Sequence, residues 1–296
     1  MAPIRNAAVI FSKVPIGYPE NDKHIKYITD RTIDIDTVDT QGGIVVKNLV
    51  VSIDPYMRAR MREPETKGYL PAFELNEPLT NFGVSKIVKS DNAKYKVGQL
   101  VYGLTGYEEY TIHPMGEGVG LRVLTEAELK LGLPLTTWVG AAGMTGQTAF
   151  YGFYHVGEPK KGDTIFITGA SGAVGQIVGQ LGGDQLEAAL DAASNNARFV
   201  ECGMISQYNE PNNHGIRNIM QIVIKRIKLQ GFNILDKLFD PIFKKDFHSK
   251  VLKLITSGEL KIKEDVTKGL EHAAEAFVGI FQGKNFGKAV IQIADE

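Results

Sequence analysis

The segment Ala170-Ser171-Gly172-Ala173-Val174-Gly175 has the spacing of G-x-G-x-x-G, with alanine in the first place. Residues of this kind can hold a pyrophosphate. Gly172 would let backbone approach the phosphates, and Gly175 would let a helix pack closely on a strand. The free N–H groups at that helix's N-terminus would stabilise the negative charge. The alternative is a glycine turn that only redirects the chain, and the spacing by itself leaves both readings open. A second small-residue segment, Gly140-Ala141-Ala142-Gly143-Met144-Thr145-Gly146-Gln147-Thr148-Ala149, could lay backbone and hydroxyls against a flat ligand, or could equally form a tight helix pair.

Other chemistries lack their residues. There is no H-E-x-x-H, C-x-x-C, G-x-S-x-G or P-loop lysine in the sequence. The six histidines are scattered and never at metal-ligand spacing, so no metal site is expected. The single cysteine, Cys202, rules out an intrachain disulfide and a cysteine-based structural zinc site. With 33 Lys+Arg against 34 Asp+Glu, the net charge of -1 argues against a general nucleic-acid binder. Between 217 and 263 there are eleven Lys/Arg against four acids. A solvated helix face explains that excess more simply than a phosphate-binding patch. The apolar run Ala7 to Phe11 is shorter than a signal-peptide core, and no stretch approaches the roughly 18 apolar residues of a membrane span. We expect a soluble, cytoplasmic protein.

The elements that must position these residues fall into two kinds. Up to about residue 125 the chain reads as short β-branched strands, Ile44–Ile53, Gly83–Val88, Gln99–Gly103 and Glu109–Ile112, which indicate an all-β module. Beyond it come helices at Glu126–Leu131 and Thr136–Phe153, then a strand at Thr164–Thr168 running straight into the glycine turn. Further helices follow at Gln185–Ala193, Ile216–Arg226, Phe243–Ser257 and Leu270–Phe281, with strands at Arg198–Cys202 and Lys228–Phe232. Strands alternating with helices predict a parallel sheet with crossovers. The closing strand, Lys288–Ile293, is expected to return to the β module.

A dinucleotide unit also needs a second strand ending in an acid, or in basic or small polar residues for a 2′-phosphate, about 20 residues after its glycines. Here Gln176–Leu181 runs into Gly182-Gly183-Asp184, and the next strand ends at Glu201-Cys202. Asp184 and Asp191 come too early and lie on a helix, so the adenosine-ribose pocket is unaccounted for.

Five segments in order, Val51–Arg58, Gly143–Ala149, Ala170–Gly175, Cys202–Asn209 and Gly283–Lys288, resemble the zinc-independent medium-chain dehydrogenase/reductases. More narrowly, they resemble the branch of prostaglandin reductases and alkenal double-bond reductases. The resemblance implies an α/β protein in which a GroES-like β domain (1–125 and 266–296) stands beside a Rossmann-type NADP-binding domain (126–265), with an NADPH cleft between them. It implies no metal, since the Asn81-Phe82-Gly83-Val84 region stands where zinc-dependent relatives carry a ligand motif. It puts Thr145, Gly172, Ala173, Val174 and Gly175 on NADPH, with Cys202 lining the nicotinamide ribose. Phe232 would lie near the nicotinamide, and Asn285 and Gly287 would make the late cofactor contacts. Tyr56 would wall the substrate pocket, and Tyr208 would be the catalytic residue beside the substrate carbonyl or the protonated carbon. Core or interface roles for Tyr56, Cys202 and Phe232 are the alternatives.

The resemblance also exposes a departure. Family members carry three strands and two helices between the fingerprint helix and the counterpart of Gly182-Gly183, roughly 50–60 residues. This chain joins the flanks at Leu181-Gly182, which implies a truncated Rossmann-type sheet and the loss of the residues that hold the 2′-phosphate and adenine. The expected activity is NADPH-dependent reduction of the C=C bond of α,β-unsaturated aldehydes and ketones, with a small enal or enone as substrate and a homodimer as the assembly. The alternatives are an NADPH quinone reductase and a catalytically inactive truncated isoform that only binds.

Overall fold

The computed structural model describes residues 2–115, 120–165, 167, 172–175, 184–211 and 215–296. The chain forms two compact units, one of residues 1–140, 264–285 and 289–296 and the other of residues 141–263 and 286–288.

The first unit is built on a seven-stranded sheet in the order Glu264–Lys268, Lys288–Gln292, Ile44–Ser52, Thr80–Ser90, Leu100–Gly106 and Arg122–Val123, with Tyr110–His113 also pairing with Ile44–Ser52. Ile44–Ser52 is buried nearly throughout because it has neighbours along both edges, which suits its run of valines. The C-terminal strand returns to this sheet as expected, antiparallel, with Val290 opposite Ser52. Asn48 interrupts the apolar run and sits beside an irregularity in register. Its buried amide donates to Glu108 O at 2.8 Å and accepts from Ser85 Oγ and Thr105 Oγ1. The core under the sheet gathers Val51, Ile53, Met57, Leu79, Tyr107 and Ile291 against Ala273, Ala274 and Phe277 of the Ala273–Ile280 helix.

The helices at Glu126–Leu129 and Leu135–Val139 belong to this unit. The first begins with a capping box. Thr125 Oγ1 accepts from Glu128 N, and the Glu128 carboxylate accepts from Thr125 N at 2.8 Å.

In the second unit, the strands Arg198–Glu201 and Lys228–Gly231 pair in parallel, Phe199 opposite Leu229. Leu186 and Leu190 of the Asp184–Ala192 helix pack with Phe199 and Ile227. A second cluster is aromatic, with Phe150 against Phe243 and Phe247.

Three expected helices differ. Thr136–Phe153 is broken. The helix at Leu135–Val139 ends at Gly140 (φ -112°, ψ -115°), and a new one runs over Met144–Phe150 and continues in wider, π-type turns to Gly157. Glycine's low helix propensity suits the end at Gly140, and glycine at 146 admits the close approach of Ala141 O that the break creates, since a Cβ there would lie 1.8 Å from it. Ile216–Arg226 shortens to Met220–Ile224, because tight turns from Gln221 N to Asn218 O and from Ile222 N to Ile219 O precede it. Phe243–Ser257 begins earlier, at Pro241, because Asp240 caps it by accepting from Ile242 N and Phe243 N. The expected strand Thr164–Thr168 (in part), Ala170 and Ser171, and the Leu181-Gly182 junction lie outside the described residues.

Candidate functional site

In the first unit Tyr56 joins a buried polar network at the end of the Ile44–Ser52 strand. Ser52 and Asp54, 1% and 2% exposed, follow eight mostly apolar strand positions. Ser52 Oγ donates to Asp54 Oδ2. Asn81, fully buried on the adjacent Thr80–Ser90 strand, donates from Nδ2 to Ser52 O at 2.8 Å and to Asp54 Oδ2 at 3.0 Å. Its Oδ1 accepts from the Tyr56 hydroxyl. Tyr107 OH donates to the same Ser52 carbonyl. Arg60 closes the group, donating to Thr80 O at 2.7 Å and Pro71 O at 3.0 Å with its guanidinium 4.1 Å from the Phe73 ring centre.

Burial, and after it the Asp54 carboxylate, holds the Tyr56 and Tyr107 phenols well above their ordinary pKa, so both stay protonated at any physiological pH. Tyr56 is half-buried, and its ring centre lies 6.4 Å from that of Tyr69, whose side chain is exposed. Of this group only Tyr56 was expected as a site residue. The signal for the rest was the polar pair Ser52 and Asp54 at alternate positions closing an apolar strand. Asn81 gave none beyond standing in a region compared with a metal-ligand motif.

Asn285, in the same unit, lines a cavity of about 360 Å³ together with Asp265, His272, Glu275 and Lys284.

In the second unit, Gly172, Ala173 and Val174 are half-buried and Gly175 is buried. Gly172 forms a parallel bridge with Gly287. Gly287 has φ +94°, and a Cβ there would meet Lys263 O at 2.2 Å, so only glycine fits at this close approach. The structure thus brings the two expected glycine contacts together. Thr145 is buried in the first turn of the Met144–Phe150 helix.

Cys202 and Tyr208 flank a short 3₁₀ turn, Ile205–Gln207, beyond the carboxyl end of the Arg198–Glu201 strand. Ends of parallel strands are where such sheets present ligand-binding loops. Cys202 is half-buried and forms no disulfide. Burial raises the Tyr208 phenol, a backbone hydrogen bond at Met204 opposes the shift, and Cys202 adds a small upward push. Phe232 packs edge-on against Tyr151, ring centres 5.4 Å apart, and over Gly152, where a Cβ would lie 2.9 Å from its ring. Among the described residues no three His, Cys, Asp or Glu side chains are grouped so as to hold a metal ion.

Residues 8–120 match the family model of the N-terminal domain of oxidoreductase. A zinc-type alcohol dehydrogenase-like protein of Schizosaccharomyces pombe is 34% identical over 99% of this chain and 100% of its own length. The NADP-dependent 2-alkenal reductase of Nicotiana tabacum is 33% identical over 99% of each. The crystal structure of CurA from Vibrio vulnificus in complex with NADPH superimposes with a TM-score of 0.77 at 27% identity, covering 98% of this chain and 100% of that one.

The protein is a zinc-independent member of the medium-chain dehydrogenase/reductase family, an α/β oxidoreductase family in which a GroES-like domain is joined to a Rossmann-type domain. The alignment with the tobacco enzyme spans 355 positions against the 296 residues of this chain, so the relative carries positions with no counterpart here. The excess is on the scale of the roughly 50–60 residues of three strands and two helices. No helix among the described residues is long and apolar enough to cross a membrane.

Proposed function

We propose that the protein uses NADPH to reduce the C=C bond of α,β-unsaturated aldehydes and ketones. The observation that carries this reading is the similarity, over nearly its whole length, to the NADP-dependent 2-alkenal reductase of tobacco. Similarity to CurA, whose structure was solved with NADPH, supports the cofactor.

The residues present fit the pyrophosphate end of that cofactor. The Gly172–Gly175 turn has no side chain at its first and last positions, and the bridge to Gly287 fixes its backbone. Thr145 and Cys202 would face the nicotinamide and its ribose, with Phe232 nearby and Asn285 and Gly287 closing on the cofactor late in the chain. When bound, NADPH supplies the hydride that reaches the substrate β-carbon.

The chain's own residues deal with charge and proton. Tyr208, kept protonated by burial, would donate to the carbonyl oxygen as negative charge develops there, or pass a proton to the α-carbon. Tyr56 would hold the substrate as a wall. The test is to incubate the purified protein with NADPH and trans-2-hexenal or a benzoquinone. Saturated aldehyde is expected, whereas hydroquinone alone would favour quinone reduction. Tyr208→Phe should lower turnover roughly 10–100-fold with little change in NADPH affinity, and unchanged turnover would remove Tyr208 from the mechanism.

A second reading, a chain that binds without catalysing, is favoured by the positions its relatives carry and it lacks. The same incubation distinguishes the two, since this reading requires that neither saturated aldehyde nor hydroquinone form.

A further inference from the structure

We propose that Asn81 is a positioning residue that accepts the hydrogen bond of the Tyr56 hydroxyl, so that Tyr56 holds and orients the substrate and does not protonate it. The inference rests on the reading that Tyr56 walls the substrate pocket.

The network admits only one direction of hydrogen bonding. The Ser52 carbonyl and the Asp54 carboxylate can only accept. Both lie within 3.0 Å of the same Asn81 nitrogen, so that nitrogen is the amide's donor end. Rotating the amide would set its oxygen against a carbonyl and a carboxylate inside a buried cluster, with no proton between the amide oxygen and either acceptor. Asn81 Oδ1 therefore faces Tyr56, and the phenol completes the bond only by donating. A hydroxyl has one proton and two lone pairs. With the proton committed, the oxygen offers only lone pairs to anything else.

The commitment is stiff. Asn81 is fully buried on a strand paired on both sides, with Val51 opposite Gly83 on one and Asn81 opposite Thr105 on the other. Asp54 Oδ2 accepts from its amide and is itself fixed by accepting from Ser52 Oγ. An enal carries acceptors and no O–H, so Tyr56 gives it ring contact rather than a proton, and delivery of the proton is left to another group.

Steady-state kinetics with NADPH and trans-2-hexenal test this. Tyr56→Phe keeps the ring but frees it from its anchor, and is expected to raise KM roughly 3–10-fold, the scale of one hydrogen bond, with the smaller effect on kcat. Asn81→Ala should raise KM by a similar factor, and the double variant should be no worse than the poorer single one, because both remove the same bond. A tenfold or larger fall in kcat for Tyr56→Phe at unchanged KM would mean that the phenol gives its proton to substrate, and would overturn the proposal. So would single-variant effects that multiply in the double variant. Tyr56→Ala without effect on KM or kcat would instead overturn the pocket reading on which the proposal rests. Should Asn81→Ala not fold, Asn81→Ser takes its place.

A readout independent of turnover is the 19F resonance of 3-fluorotyrosine placed at position 56 in the full chain. It should move when Asn81 is replaced, and an unmoved resonance would show that Asn81 does not hold the phenol.

Discussion

The two units solve the same problem with different completeness. In the first, the Ile44–Ser52 strand is paired along both edges, its side chains are almost all buried, and even its one amide, Asn48, has its polar atoms matched. In the second, the Lys228–Gly231 strand is exposed at every position, and the short helix beside it leaves Met220, Val223 and Ile224 each more than half exposed. A parallel strand normally has both faces covered by crossover helices and reads as a continuous apolar run. This one, Lys-Leu-Gln-Gly, does not, and the relatives carry positions that this chain lacks. An apolar face needs a partner of matching extent, and the first unit supplies one where the described part of the second does not.

The largest expected effect comes from making the two units alike. Inserting at Leu181-Gly182, where the resemblance implies the missing strands and helices, a segment of that kind should tighten NADPH binding at least ~100-fold, since even two charge-assisted hydrogen bonds at ~1.5 kcal/mol each amount to that. The melting temperature should rise as well, because new strands and helices would cover exposed apolar surface. Calorimetric titration of both forms measures the first and thermal unfolding the second. Equal affinity and equal melting would mean that Asp184–Ala192 and its neighbours complete the site in another way.

The completeness of the first unit has a cost that appears in acid. His113 is buried, and its Nε2 has no hydrogen-bond partner among the described residues. Burial pulls its pKa down to about 4. Because the unfolded chain binds that proton near pH 6.5 and the folded one near 4, this contribution is whole above about pH 6.5 and is lost as pH falls through that window. The loss should reach roughly 3 kcal/mol, and His113→Leu should flatten stability between pH 6.5 and 4 in denaturant titrations. An unchanged slope would show that His113 protonates without cost.

Gly172→Val probes the second unit. A branched side chain at the bridge to Gly287 should weaken NADPH binding by about 2 kcal/mol, set against charge-assisted hydrogen bonds of roughly 1.5–3. Fluorescence titration giving the wild-type dissociation constant would dismiss the fingerprint. The smallest effect is expected in the first unit, where Thr125→Ala removes one half of a capping box. It should cost about 1 kcal/mol in chemical denaturation, with NADPH affinity unaltered.

Much of the first unit was legible because short β-branched runs mark strands directly. Ile44–Ser52 and Leu100–Gly106 fall within a few residues of their expected ends. Helices with small residues were harder. Thr136–Phe153 reads as one helix, and only the structure shows it ending at Gly140 and starting again at Met144, with Gly146 admitting the approach of Ala141 O. The change of residue character at Thr125 marks where strands give way to helices, while the compact units divide at Gly140. The Glu126–Leu129 and Leu135–Val139 helices belong to the first unit through their packing, which local sequence does not encode.

The sequence by itself determined the family and the positions of the glycines, because backbone approach and the lack of a Cβ are properties of single residues and their spacing. Tertiary structure decided which polar groups meet. Ser52, Asp54 and Tyr56 are neighbours in the chain, but Asn81 and Tyr107 reach them only because three strands lie side by side in register. A hydrogen bond depends on angles and distances between residues far apart in sequence. Those are set by sheet pairing, and so the direction of the Tyr56 proton is written in the fold.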